Sequence, residues 1–148
     1  MESVLQRFHL FEGFAPEDLA LFEPLLERRN YGARELIFQE GDAAQAMYLV
    51  EQGSVEIGTL RGDTCLATIR AGEEFGELPF FAEGVRSAAA RAREASVVIG
   101  LPYAALRTVL AQRTGLALVV YRNACRFMAR RLRQTSSDFS WLSTYAHG

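Results

Sequence analysis

Residues Phe75–Ala89 read FGELPFFAEGVRSAA, an apolar run in which three polar residues stand out. Glu77 follows Gly76, and nine residues later Arg86 is followed by Ser87 among small neighbours. A guanidinium presents a rigid fork of donors that matches two phosphate oxygens, and an adjacent hydroxyl adds a third donor. A carboxylate set apart from that fork repels phosphate but accepts a hydrogen bond from a sugar hydroxyl. GELPFF is expected to begin a helix, whose first turn offers backbone N–H groups and the positive end of a dipole. The combination suits a ligand with one phosphate and a nearby ribose. A competing reading pairs Arg86 with Glu77 in a structural salt bridge that needs no ligand.

On either side of this stretch the chain alternates short β-type runs with glycines. RELIF, EGD, MYLVEQGSVEIGTL and RGDTCLATIRAGEEF read as strands turning at Gly41, Gly53, Gly62 and Gly72, with Gln52-Gly53 and Arg61-Gly62 as hairpin corners. RSAAARARE and ASVVIGL complete the set. Regular short strands at this spacing predict a small antiparallel roll. Upstream, Pro16 followed by Glu17 and Asp18 marks a helix start, with Leu19, Phe22, Leu25 and Leu26 as its apolar face.

After Pro102 the period becomes helical. PYAALRTVLAQR forms one helix, and a longer one runs from beyond Gly115 to about Ser143. Its Leu118, Tyr121, Cys125, Met128, Leu132, Thr135, Phe139 and Leu142 are spaced alternately by three and four, the a/d seam of a coiled coil. Leu116, Val120, Ala124 and Phe127 form a second apolar face, expected to pack on the roll. Two apolar faces imply two partners: the helix's own domain and, across the 118–142 seam, the same helix of a second subunit. The alternative buries both faces within one monomer.

Composition narrows the function. The chain has 148 residues, 49% of them hydrophobic and 23% charged, which fits one globular domain. Its apolar runs fall short of the ~20 residues of a bilayer span, and MESVLQRFHLFEG has no signal-peptide pattern, so a cytoplasmic protein without a membrane segment is expected. Cys65 and Cys125 cannot build a disulfide framework or a zinc site, and His9 and His147 lie at opposite ends. No nucleophile–base arrangement stands out, so no enzyme, metal or cofactor is expected. Residues 101–148 carry 7 of the 16 arginines and 1 of the 18 acids. Arg122, Arg126 and Arg130 recur every four residues, read as a solvated helix face in preference to a nucleic-acid contact.

FGEL, a short helix and then RSA resemble the phosphate-binding cassette of cyclic-nucleotide-binding domains. LFEGFAPEDL is similar to that family's leading helix, and ARELIFQEGD and MYLVEQGSVEI to its first strands. The resemblance implies an α+β domain: an antiparallel, jelly-roll-like β-roll with N-terminal helices and a long C-terminal dimerisation helix. Its implied extent is residues 1–143, made of an N-terminal helical segment (1–30), the roll (31–101, with the cassette at 75–89) and the C-terminal helices (102–143), followed by a tail at 144–148. By the same resemblance Glu77 binds the ribose 2′-hydroxyl and Arg86 and Ser87 the cyclic phosphate, while Gly76, Leu78 and Ala88 complete the ligand contacts. MARRLRQTS, Met128–Ser136, resembles the dimer helix of the family's catabolite-activator branch, which implies that Thr135 and Ser136 reach the purine.

The implied function is a cyclic-nucleotide sensor, cAMP before cGMP, that reports occupancy by moving the long helix. No DNA-reading module is expected after that helix. Pro79 departs from the alanine or glycine common in the family. Where that N–H is used, its loss costs roughly 1.5–3 kcal/mol. Two alternatives follow: a degenerate dimerisation module that binds no nucleotide, or a sensor of another effector.

Overall fold

Alternation along the strands sorts the side chains into two cores. In the computed structural model, which describes residues 4–59, 65–82 and 84–147 (Leu78 and 134–147 as backbone), eight strands form two four-stranded antiparallel sheets. The strands are β1 (Glu27–Tyr31), β2 (Leu36–Phe38), β3 (Ala46–Gln52), β4 (Ser54–Gly58), β5 (Cys65–Arg70), β6 (Glu74–Phe75), β7 (Ala89–Ala92) and β8 (Ser96–Pro102). One sheet runs β1-β8-β3-β6 and the other β2-β7-β4-β5, so the jelly-roll-like α+β architecture is as expected. On β3, Met47 and Leu49 point to the helical side while Val50 joins Val55, Ile69, Phe75, Ala90 and Val98 inside the roll.

The helical side holds the larger core. Single 3-10 turns at Val4–Arg7, His9–Phe11 and Glu23–Leu25 surround α1 (Pro16–Leu19). Phe8, Phe11 and Phe22 are fully or almost fully buried, with Phe11 and Phe22 ring centroids 4.9 Å apart. Burying each such ring contributes about 1.5–3 kcal/mol. α3 (Tyr103–Gln112) and α4 (Thr114–His147) close this layer through Leu106, Val120 and Ala124. Buried Asn123 fastens α4 to the N-terminal turns by donating to the carbonyls of Leu10 at 3.0 Å and Glu12 at 2.9 Å. Among the described residues no helix is long and apolar enough to cross a membrane.

Four readings change. The helix begun at Pro16 ends at Leu19, and the chain re-enters a 3-10 turn containing Pro24, which cannot continue an α-helix interior. β1 starts at Glu27, inside the stretch read as helical, because the exposed ERRNY carries no apolar alternation and is specified by its pairing with β8. Gln52-Gly53 is no hairpin corner: β3 and β4 belong to different sheets, and the chain crosses between them there. A Cβ on Gly53, at φ +88°, would lie 2.3 Å from the Ser96 hydroxyl. Finally, the second face of α4 packs mainly on the N-terminal turns, with Phe127 stacked on the His9 ring at 5.0 Å, in place of the roll. The Arg61-Gly62 corner lies outside the described residues.

Candidate functional site

The backbone of Arg86 is pinned before its side chain is placed. Its N–H donates to the Asp42 carbonyl at 2.9 Å, and its carbonyl accepts the Gly41 N–H at 2.8 Å. The Glu40-Gly41-Asp42 turn is itself locked by the Gln39 N–H on the Asp42 carboxylate at 2.9 Å. From this anchor the guanidinium enters the roll and is 4% exposed. Nη1 donates to the Gly76 carbonyl at 2.9 Å, and Nη2 to the Ala46 carbonyl at 2.6 Å. The guanidinium carbon sits 4.1 Å from the centre of the Phe38 ring. Every one of these partners is neutral, and Arg86 has no ion pair among the described residues. A buried cation supported this way has an uncompensated charge, which favours an anion beside it.

Glu77 is also buried, at 4% exposure, yet it does not pair with Arg86. Its partner is Arg131 of α4, with Nη1 3.6 Å from the carboxylate. The structure therefore does not bear out the salt-bridge reading of Arg86. Between the two residues the chain forms α2 (Leu78–Ala82), with Pro79 in its first turn, where a missing N–H breaks no intrahelical bond. Gly76 begins the turn at φ +80°, and a Cβ there would lie 2.9 Å from Arg86 Nη1. Only a residue without a side chain fits both the dihedral and the space.

These residues share one cavity of about 260 Å³. Gly76, Glu77, Arg86, Ser87 and Ala88 all line it, with Pro79 and Arg131 beside them, over an apolar floor that includes Phe38, Ile69 and Phe75. Leu78 opens α2 next to the cavity. Thr135 and Ser136 lie outside the residues whose side chains are described. Arg122, Arg126 and Arg130 are all exposed, as a solvated face requires.

Four contributors went unread in the sequence. Arg131 stands one turn before Thr135 on α4, and that i, i+4 spacing was its available signal. Tyr103 of α3 donates its hydroxyl to the Gly76 carbonyl, tying α3 to the cassette. Burial, only partly offset by Arg86, raises the pKa of this phenol, so it stays a donor. Phe80 and Phe81 of α2 then reach out of the roll, to Tyr103 at 5.3 Å and to Tyr121 of α4 at 5.7 Å between ring centroids.

Comparison with known proteins gives the same reading. The chain is similar to the cyclic AMP receptor protein of Thermus thermophilus, 38% identical over 137 residues that cover 90% of this chain and 62% of that protein. It is 27% identical to a CRP-like cAMP-activated global transcriptional regulator of Mycobacterium tuberculosis, over 95% of this chain and 62% of the relative. The chain thus spans 62% of the length of these curated relatives. The crystal structure of the Thermus thermophilus catabolite activator protein superposes with a TM-score of 0.75 at 35% identity, covering 91% of this chain and 63% of that one. The family model described as the cyclic nucleotide-binding domain matches residues 28–113, which hold both sheets, the Gly76-Glu77 turn, α2 and buried Arg86. The chain belongs to the cyclic nucleotide-binding domain family.

Proposed function

We propose that this chain is a non-enzymatic sensor domain for a cyclic nucleotide, cAMP before cGMP, that dimerises through α4. The observation that carries the reading is Arg86: a buried guanidinium with neutral partners, in a cavity that also holds Glu77. In this reading Arg86 and Ser87 take the cyclic phosphate, Glu77 accepts from the ribose 2′-hydroxyl, and Gly76, Leu78 and Ala88 supply close backbone contact. Thr135 and Ser136 meet the purine amino group. Relatives named for cAMP reception and cAMP activation support the choice of nucleotide.

Occupancy reaches α4 by two routes. Phosphate on Arg86 competes with its bond to the Gly76 carbonyl, which loosens the turn that aims α2, and Phe81 of α2 bears on Tyr121 of α4. Ribose on Glu77 competes with Arg131, which sits on α4 itself. Both shift the population of α4 positions. The seam supports the dimer: Leu118 is 70% exposed and Leu132 68%, so nothing described in this chain covers them. An apolar seam of this kind is buried by a second copy.

Thermal melting of the wild type with cAMP, with cGMP and without ligand tests the reading. At a thousandfold excess over Kd, cAMP stabilises by about 4 kcal/mol, a rise of many degrees. A ligand-free dimerisation module is favoured by the carbonyls that already satisfy Arg86. A melting point indifferent to both nucleotides would overturn the cyclic-nucleotide reading.

A further inference from the structure

Behind the turn that carries Glu77 lies a second buried carboxyl that nucleotide binding does not use. Alternation on β6 sends Phe75 into the roll and Glu74 to the helical side, opposite Leu49 of β3. Glu74 is 4% exposed. One of its oxygens accepts the His9 N–H at 3.2 Å, and the other, Oε2, has no hydrogen-bond partner among the described residues. The N-terminal turn brings the His9 N–H, while the His9 ring itself lies on Phe127. Arg131 comes from α4, Glu77 from the turn after β6, and uncharged Leu49 from β3. Burial first, and repulsion from Glu77 second, raise the Glu74 pKa to about 8, against the opposing pull of the His9 N–H and Arg131.

An ionised Glu74 would be a second buried negative charge next to Glu77, in the wall of a site that takes an anion. We propose that Glu74 is a proton-gated positioning residue for the nucleotide site: its protonated carboxyl keeps a second buried negative charge away from an anionic ligand, so that ionising it weakens nucleotide binding. The inference rests on the cyclic-nucleotide reading above. Its physical content is linkage: an anion that binds better to the protonated form takes up protons as it binds.

The experiment is calorimetric titration of cAMP into the full chain between about pH 7 and about pH 9, for wild type and Glu74→Gln. Wild-type affinity falls about tenfold across that range, whereas Glu74→Gln binds evenly throughout. A role confined to packing would leave the two profiles parallel, and parallel profiles overturn the inference. Should Glu74→Gln not fold, the wild type alone is titrated in buffers of different ionisation enthalpy near pH 8. Net proton uptake on binding is expected there, and none overturns the inference. Nucleotide binding that ignores pH removes this inference alone, whereas no binding at any pH removes the sensor reading and this inference with it.

Discussion

Glu74→Gln has a stability consequence that needs no ligand. In the folded chain burial, with repulsion from Glu77 second, pushes the carboxyl from its ordinary 4.5 up to about 8 by disfavouring its charged form. The folded state therefore binds a proton that the unfolded state releases, and stability falls as pH rises while that difference lasts. The cost is absent below the unfolded pKa, grows by about 1.4 kcal/mol per pH unit above it, and levels off once the folded pKa is passed. At pH 7 it amounts to about 3 kcal/mol, a large share of the ~5–15 kcal/mol that holds a domain together. Glutamine keeps the shape and carries no charge in either state. Denaturant unfolding of both proteins at a series of pH values isolates the term: the advantage of Glu74→Gln should widen from pH 5 to pH 8 and then stay constant. A difference independent of pH would refute the claim that Glu74 is protonated in the folded chain.

Gly76→Ala places a Cβ against Arg86 at a left-handed dihedral, so it should cost about 1–3 kcal/mol of stability and, in a binding titration, lower cAMP affinity by displacing the guanidinium. Asn123→Ala removes both bonds from α4 to the Leu10 and Glu12 carbonyls and should destabilise by about 1–3 kcal/mol in denaturant melts; no change would mean the α4 anchor lies elsewhere. Leu132→Glu puts a charge on the exposed seam and should convert dimer to monomer in sedimentation, and an unaltered oligomeric state would argue against the seam as the interface.

What the sequence made legible was local. Gly76-Glu77, the short helix and Arg86-Ser87 lie within one stretch, so the chemistry of the site could be read without knowing the fold. The strands rich in apolar alternation, such as MYLV and SVVIGL, were equally plain. Partnerships across the chain were not. Arg131 lies 54 residues from Glu77 and meets it only because Asn123 and the Val120 face hold α4 against the N-terminal turns. The exposed β1 is a strand because β8 pairs with it, which its own residues do not announce. Gly53 carries a hairpin composition but serves a crossing between sheets, since the same left-handed residue suits both. Glu74 was hidden by its neighbour: in EEF the first acid is exposed and the second buried, and alternation separates them only once the strand's register is known.

The role of Arg86 can be read by a single comparison, titration of cAMP into wild type and Arg86→Ala by calorimetry at constant pH. Two charge-assisted bonds of roughly 1.5–3 kcal/mol each predict a loss of at least about a hundredfold in affinity. Equal affinity for the two proteins would contradict phosphate binding by Arg86.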